Sequence, residues 1–237
     1  MSRRRWIADE IHGNMAALVG EHAAHLARVL RARIGQEFDI AAGEIVRRGT
    51  ITAISAERVE FALGEVEVVR PAPKVTLVLA IFKFDRMEWA IEKCTELGVT
   101  RIIPLIARRT DAHLASAAAK RVERWRKIAR QASEQSRRVA PPEIGGPMKL
   151  KELGVTVTGE STRIVLAENE RETSLRAALA AGPDDAVLAI GPEGGWTDEE
   201  LGWLREAGWK SATLGDSILR AETAAIVATA FTMDALR

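Results

Sequence analysis

Apolar residues in the first part of the chain, residues 1–70, fall in short runs separated by glycine or charged residues. One stretch differs: Ala24, Leu26, Val29 and Leu30 have helical spacing, which predicts a helix over 21–31. The remaining runs are typical of strands in a small antiparallel barrel. The predicted strands are 37–40, 44–46, 50–54, 59–62 and 66–69.

The pattern changes after the two prolines of Pro71-Ala-Pro73, where strand-like and helix-like stretches alternate. A continuous apolar run at 75–81 indicates a strand covered on both faces, and Gly98 is expected to end a helix over 85–97. This alternation predicts an α/β domain with a mainly parallel sheet. The other predicted strands are 101–106, 163–167, 186–190 and 212–214, and the other predicted helices are 115–136, 197–206 and 221–236.

The prolines at the change of pattern disfavour both helix and sheet, so they indicate a linker. We therefore predict a barrel domain at 1–70, a linker at 71–73 and an α/β domain at 74–237. The chain of 237 residues is 47% hydrophobic and 28% charged, which is enough for packed cores.

Several classes of protein are excluded by what the sequence lacks. Cys94 is the single cysteine, and the four histidines show no spacing of metal ligands, so we expect neither a disulfide framework nor a metal site. No apolar run approaches the length of a membrane span, and no signal-type apolar stretch follows the arginine-rich start. A soluble, cytoplasmic protein is expected.

Basic residues are concentrated in one segment, although the formal net charge of the chain is only +1. Residues 101–138 contain eleven Lys and Arg against three acidic residues, a net charge of +8, which leaves −7 for the rest. Such segregation is typical of a surface that binds phosphates, and Arg3, Arg4 and Arg5 form a second basic cluster. The alternative is a solvated helix face whose charges serve solubility.

The motif GPEGGWTDEE at 191–200 directly follows the predicted strand 186–190. Thr197 and Glu200 have the spacing of a capping box, so a helix should begin there. Ligands of α/β sheets bind at such strand–loop–helix junctions, and the glycines allow main-chain groups to approach a ligand closely. The loop has neither the P-loop nor the dinucleotide-binding pattern, and Glu193 would repel a pyrophosphate but tolerate a cation. A plain tight turn is the equal alternative.

The second motif, LGDSILRAETA at 214–224, joins a short predicted strand to an alanine-rich helix. Ile218 and Leu219 are apolar residues in an expected loop, which is unusual unless they line a pocket. Arg220 and Glu222 flank the start of the helix. An ordinary amphipathic helix with a charged first turn is the alternative interpretation.

Taken together, these motifs resemble those of the bacterial 16S rRNA uracil N3-methyltransferases of the RsmE type, in the SPOUT class of methyltransferases. Both loops occur in the family's order, with a basic segment upstream, and the similarity covers nearly the whole chain. The supporting motifs are HLARVLR at 25–31, KFDRMEW at 83–89, KCTELGV at 93–99, RQASEQSRR at 130–138 and PEI at 142–144. Three positions depart from the family: Phe84 replaces a frequent Gly, and Asp216 and Ser217 replace residues that include a cation.

The resemblance implies a PUA-like RNA-binding barrel followed by a SPOUT domain whose C-terminal end forms a trefoil knot. It implies S-adenosyl-L-methionine as cofactor, a homodimer, and methylation at N3 of one uridine (position 1498 in the conventional numbering) in 16S rRNA within the small ribosomal subunit. Other SPOUT targets, such as a ribose 2′-oxygen or a tRNA base, stay open, as does a ribosome-associated RNA-binding protein without catalysis.

The site residues follow from these motifs. Arg220 is the candidate for steadying the uracil oxygens, and Glu222 is either a base for the N3 proton or a brace for Arg220. Trp196 is kept open as a platform for base stacking, whereas Trp89, Trp125 and Trp203 are expected in the core. The expected cofactor-binding residues are Leu166, Gly191, Glu193, Gly194, Gly195, Leu214, Gly215, Ile218 and Leu219. The expected RNA-binding residues are Arg3, Arg4, Arg5, Lys83, Arg108, Arg109, Arg130, Gln135 and Arg138.

Overall fold

The structure is a computed structural model that describes residues 5–42, 45–67, 73–157, 161–180, 182 and 184–236. These residues divide into two compact units. The first contains the described residues of 1–71 together with 133–140, and the second contains those of 72–132 and 141–237. The inclusion of 133–140 in the first unit has no counterpart in the sequence prediction. Pro71 and Ala72 of the predicted linker lie outside the described residues.

A six-stranded mixed sheet forms the first unit, with strand order β1-β4-β5-β6-β3-β2. Its pairs are antiparallel except for β1 and β4, which are parallel. The predicted strand at 50–54 and the described part of the one at 44–46 belong to a single strand. Gly49 lies inside this strand, at a position where a Cβ would collide with Ile40. The strands are β1 Arg5–Ile7, β2 Glu10–His12, β3 Met15–Val19, β4 Glu37–Ala42, β5 Ile45–Ile54 and β6 Arg58–Glu67.

The runs at 59–62 and 66–69 likewise belong to β6 as far as the structure describes them. Strands β1 to β3, of three to five residues each, were not predicted. The predicted helix 21–31 is shorter: α1 (Gly20–Ala24) continues as a π-helical turn, His25–Val29. Trp6, Leu26 and Phe61 are among the buried residues of this unit's core.

The second unit is built on a parallel sheet, which confirms the predicted α/β class. The strand order is β10-β8-β7-β12-β11-β13, and β9 also pairs with β8. The last strand lies two residues earlier than predicted, since Thr213 and Leu214 already belong to the loop that follows it. The strands are β7 Lys74–Ala80, β8 Arg101–Ile106, β9 Glu143–Ile144, β10 Met148–Lys149, β11 Thr162–Leu166, β12 Asp185–Ile190 and β13 Lys210–Ala212.

Helices accompany these strands along the chain. The helices are α2 Phe84–Leu97, α3 Ala112–Ala117, α4 Val122–Gln135, α5 Leu150–Thr156, α6 Leu175–Ala178, α7 Asp198–Glu206 and α8 Ala221–Ala235. The prediction of one helix over 115–136 is wrong, because a 3₁₀ turn, Ala118–Arg121, separates α3 from α4. The buried positions Ala118, Val122 and Trp125 keep helical spacing across the break, so the apolar pattern does not reveal it.

Buried side chains of β7 alternate between two cores, which shows that the sheet is covered on both faces. Leu77 and Leu79 pack in one cluster with residues of α2 and α8, and Val78 packs in the other with residues of α5 and α7. Trp125 is fully buried, as predicted, whereas Trp89 is 49% exposed, so its expected place in the core is wrong. Among the described residues, no helix combines the length and apolar character that a membrane span requires.

Candidate functional site: a cavity at the ends of three strands

A cavity of about 320 Å³ lies within the second unit. Its lining includes the last residues of three neighbouring parallel strands: Leu166 of β11, Ile190 of β12 and Ala212 of β13. Arg86, in the segment that follows the next strand, β7, also lines it. The carboxyl ends of parallel strands are where α/β sheets bind ligands, and the volume lies within the range of small-molecule sites.

The glycine loop, residues 191–195, forms one wall. Gly191 lies against Trp196: a Cβ at Gly191 would be 3.0 Å from the indole Nε1, closer than side chains normally pack. The same Nε1 donates a hydrogen bond of 3.0 Å to the main-chain oxygen of Leu166, and Trp196 is only 8% exposed. The ring therefore ties the loop to the end of β11, and the hypothesis that it stacks on RNA bases is wrong for this buried conformation.

Gly195 forms the turn of the same loop, with φ of +70°, a left-handed conformation that favours glycine. The carboxylate of Glu168, from the loop after β11, lies 3.6 Å from the position of a Cβ on Gly195. Glu168 also lines the cavity. This acidic residue was not predicted, because it belongs to neither of the two motifs.

Glu200 anchors the far end of the glycine loop, as the predicted capping box requires. The buried carboxylate accepts hydrogen bonds from the main-chain N–H and the hydroxyl of Thr197, at 2.9 and 3.0 Å. It also accepts one from the main-chain N–H of Arg108, at 2.8 Å. Glu200 thus joins the start of α7 to the loop after β8.

Arg109 approaches the glycine loop as well. Its guanidinium donates to the main-chain oxygens of Gly194 and Trp196, at 2.8 and 3.2 Å. Gly194, an expected cofactor contact, lies against the Arg109 side chain and is not among the cavity-lining residues. The other eight expected cofactor-binding residues all line the cavity.

The second loop, 213–219, also lines the cavity. Leu214 is half-buried, whereas Ile218 is 80% exposed although it lines the cavity. An apolar side chain so exposed at the rim is available to contact a ligand. Asp216 and Ser217, the two departures from the family pattern, also line this wall and are exposed.

Arg86 and Glu222 make an ion pair that the sequence prediction did not include. Arg86 Nη1 donates to Glu193 Oε1 at 2.7 Å, and Arg86 Nε lies 3.8 Å from Glu222 Oε1. The hypothesis that Glu222 braces Arg220 is therefore wrong, since its partner is Arg86. Glu222 is 4% exposed and is not among the lining residues, whereas Arg220 is exposed and lines the cavity.

Several arginines of the basic segment have partners within the fold. Arg124 makes two hydrogen bonds with Glu88, at 2.6 and 2.8 Å, and Arg121 lies over the ring of Phe84. The exposed side chain of Arg108 pairs with Glu199 at 2.8 Å, which raises the pKa of Arg108 and lowers the pKa of Glu199. Part of the net charge of +8 is thus balanced by neighbouring carboxylates.

The remaining RNA candidates lie on both units. Arg130 is half-buried on α4 and Gln135 is exposed at its end, while burial lowers the pKa of Arg138 to about 10, so it stays charged at neutral pH. Arg5 donates to the main-chain oxygen of Arg137. Lys83 is exposed immediately before α2. Arg3 and Arg4 lie outside the described residues.

Comparison with known proteins decides the family. The family model for the RNA methyltransferase domain matches residues 70–233. The chain is 34% identical to the ribosomal RNA small subunit methyltransferase E of Rickettsia conorii, over 90% of this chain and 87% of that protein. It belongs to this family. The family's protein from Aquifex aeolicus is 32% identical, over 92% of this chain and 94% of that protein.

Solved structures of similar proteins have the same fold. The ribosomal RNA small subunit methyltransferase E of Neisseria gonorrhoeae, bound to S-adenosyl methionine, superposes with a TM-score of 0.85 at 31% identity, over 97% of this chain and 96% of that chain. A methyltransferase of Legionella pneumophila in complex with the same cofactor gives a TM-score of 0.86 at 29% identity, covering 99% and 98% of the two chains.

Proposed function

We propose that the chain uses S-adenosylmethionine to methylate N3 of one uridine in the 16S rRNA of the small ribosomal subunit. The observation that supports this most directly is that the two loops with family motifs line one cavity. A ribosomal substrate also implies that the protein acts in the cytoplasm.

The cavity fits S-adenosylmethionine in its chemistry. The close approach of Gly191 and Trp196 leaves main-chain groups along one wall, which suits hydrogen bonding to an adenosine. Glu168, Glu193 and Asp216 line the cavity, and the negative charges of their carboxylates favour a cationic ligand. When bound there, the cofactor supplies an electrophilic methyl group. We propose as its contacts Leu166, Gly191, Glu193, Gly195, Leu214, Gly215, Ile218 and Leu219, with Gly194 shaping the loop from outside.

Arg220 is the residue we propose to act on the uracil. The N3 atom of uracil bears a proton at neutral pH, so its attack requires removal of that proton and stabilisation of the resulting negative charge. Arg220 is exposed at the cavity and makes no ion pair with any of the described residues. Its guanidinium is therefore available to the uracil oxygens.

Glu222 is less suited to be the base. A base must reach the proton that it removes, but Glu222 is buried outside the cavity lining and paired with Arg86. We propose that it is a counter-ion. An unchanged rate of methyl transfer at saturating cofactor in Glu222→Gln would agree with this, and a large loss of turnover at saturating cofactor would restore the base role.

The first unit is proposed to be the PUA-like RNA-binding domain, and the second to form the SPOUT domain with its C-terminal knot. RNA contacts are proposed for Lys83, Arg108, Arg109, Arg130, Gln135 and Arg138, and for Arg3, Arg4 and Arg5 at the start of the chain. Phosphate contacts of this kind position the RNA, whereas the cavity selects the base.

We also propose a homodimer that uses α2 and α8, which pack against each other. Trp89 on α2 and Phe231 on α8 are each 49% exposed, and large apolar side chains exposed in this way are typical of interfaces. Sedimentation should show a dimer for the unchanged chain and a monomer for Phe231→Glu. A monomeric unchanged chain would contradict this part of the proposal.

The function is tested with small ribosomal subunits from a strain that lacks the modification. After incubation with the chain and isotopically labelled S-adenosylmethionine, we expect 3-methyluridine at one position in nucleoside and fragment mass spectrometry. Arg220→Ala should lose most of this product while retaining cofactor affinity. A 2′-O-methylated nucleoside, a labelled tRNA in a parallel reaction or RNA binding without any methylation would contradict the proposal.

A further inference from the structure

One guanidinium in the cavity wall connects three segments that are far apart in the sequence. Arg86 lies in the first turn of α2, Glu193 in the glycine loop and Glu222 in the first turn of α8. The Arg86–Glu193 contact, at 2.7 Å, is a hydrogen-bonded ion pair. The Arg86–Glu222 contact, at 3.8 Å, is too long for a hydrogen bond and is electrostatic. We call these three residues the Arg86 triad.

The burial of Glu222 makes this arrangement necessary. Its side chain is 5% exposed, and its Oε2 atom has no hydrogen-bond partner among the described residues. A carboxylate that is removed from water requires a nearby cation, because its desolvation is otherwise uncompensated. Arg86 is that cation, and its position is in turn fixed by the buried charge beneath it. The guanidinium is thus held where it also reaches the glycine loop.

The triad has one positive and two negative groups, so it adds a single net negative charge to the cavity wall. S-adenosylmethionine has a sulfonium cation, which its product S-adenosylhomocysteine lacks. A fixed negative charge near the cavity therefore attracts the donor more than the product. The same charge interferes little with release of the neutral thioether after methyl transfer.

We propose that Arg86 is a positioning residue that fixes the glycine loop through Glu193, and that the net charge of the Arg86 triad makes the cavity prefer the methyl donor over its product. This inference rests on the proposed placement of the cofactor in this cavity. It adds to that proposal a determinant of donor-to-product preference, to which Arg86 of α2 contributes from outside the two loop motifs.

The test measures the affinities of S-adenosylmethionine and S-adenosylhomocysteine by calorimetry for the full chain and three variants. Arg86→Met and Glu193→Gln should each lower the affinity for S-adenosylhomocysteine. The affinity of the double variant should not fall below that of whichever single variant has the lower affinity. This non-additivity is expected because both changes break the same ion pair.

The ratio of the affinity for S-adenosylmethionine to that for S-adenosylhomocysteine separates the effect of the triad's charge from a general structural loss, which would weaken both affinities alike. Glu193→Gln makes the triad neutral and should lower the preference for the donor on the order of three- to tenfold. Arg86→Met makes the triad doubly negative and should raise the preference. In the double variant the net charge of the triad returns to a single negative charge, so the preference should return to that of the unchanged chain.

A matched control uses a second arginine that pairs with a residue of α2 away from the cavity. Arg124 makes two short hydrogen bonds with Glu88, and neither residue lines the cavity. Arg124→Met should leave both affinities and their ratio unchanged.

Because Arg86→Met leaves Glu222 buried without its cation, this variant should unfold at a lower temperature than the unchanged chain. Arg86→Met combined with Glu222→Gln should recover part of that loss in unfolding temperature.

Two results would overturn the inference: a constant affinity ratio in all four proteins, or losses of product affinity that simply add in the double variant. Glu193→Gln removes only the charge of a partly exposed side chain and is expected to fold, so the charge argument is tested even if Arg86→Met does not fold. If the unchanged chain methylates ribosomal subunits while the ratio stays constant, the triad inference fails and the proposed function stands. If the unchanged chain did not bind the cofactor, the proposal that this cavity is the cofactor site would be refuted. The thermal unfolding of Arg86→Met, with and without Glu222→Gln, would still test whether Arg86 stabilises the buried carboxylate of Glu222.

Discussion

The indole N–H of Trp196 donates a 3.0 Å hydrogen bond to the main-chain oxygen of Leu166, and this bond joins the glycine loop to the end of a neighbouring strand. The indole fills the space beside Gly191, where a side chain would lie 3.0–3.3 Å from three ring atoms. The glycine is therefore required by the tryptophan, and the loop's shape depends on both residues.

Gly191→Ala should displace the Trp196 ring and reshape the cavity wall. Overpacking at a well-packed position costs about 1–3 kcal/mol of unfolding free energy, and cofactor affinity should fall with it. Gly202→Ala is the matched control, since a Cβ at this position in α7 meets no atom within 4 Å. That variant should gain up to about 1 kcal/mol from helix propensity and bind cofactor normally. Chemical denaturation and calorimetry measure both effects, and equal behaviour of the two variants would contradict this account.

Glu200→Ala should destabilise the protein by about 2–4 kcal/mol, because it removes the acceptor for three donors at a buried position. The adjacent Glu199→Ala serves as control. Glu199 is exposed and pairs with the Arg108 side chain at the surface, where solvent screens the pair, so its loss should cost much less than the loss of Glu200. Urea denaturation of the two variants distinguishes these expectations. A similar cost at both positions would mean that the hydrogen bonds of Glu200 are not important for stability.

Removing two charges from the basic segment should weaken RNA binding in a salt-dependent manner. For Arg130→Gln combined with Arg138→Gln, the slope of log affinity against log salt should decrease by about 0.7–0.9 for each phosphate that the variant no longer neutralises. Lys151→Gln combined with Lys210→Gln removes the same charge from exposed positions outside this segment and should leave the slope unchanged. Filter binding to an rRNA fragment at several salt concentrations gives both slopes. An unchanged slope in the arginine variant would remove these residues from the RNA-binding surface.

Cys94 should be unreactive in the native protein. Burial raises the pKa of its thiol to about 12, from an ordinary value of 9.0, so almost no thiolate forms at pH 8. The raised pKa favours the native state below pH 9, and this contribution is lost as the pH rises from 9 towards 12. Cys94→Ala should therefore lose less stability than the unchanged chain over that interval. Labelling by a thiol reagent at pH 8 that is as fast as in the unfolded chain would contradict the buried position.

Residues close together in the sequence could be interpreted without a structure. Thr197 and Glu200 predict their capping box because both partners lie within one helical turn. The continuous apolar run of β7 predicts a strand covered on both faces. Most of the expected cofactor-binding residues that line the cavity likewise belong to the glycine loop or to the motif around Leu214. Each motif is continuous in the sequence, so its residues could be identified together.

Contacts between distant segments were decided by the tertiary structure alone. Arg86 reaches Glu193 and Glu222 across more than a hundred residues of sequence, and no local pattern distinguishes these partners from other charged residues. Glu222 and Arg220 are close in the chain, so sequence proximity suggested, as one of two alternatives, a pair that the fold does not form. The burial of Trp196 was also decided by the tertiary structure, because only the packing of the loop against β11 shows that its indole faces inward. The sequence therefore determined which segments form the site, and the tertiary structure determined which side chains pair there, because ion pairing and burial depend on distances that the fold creates.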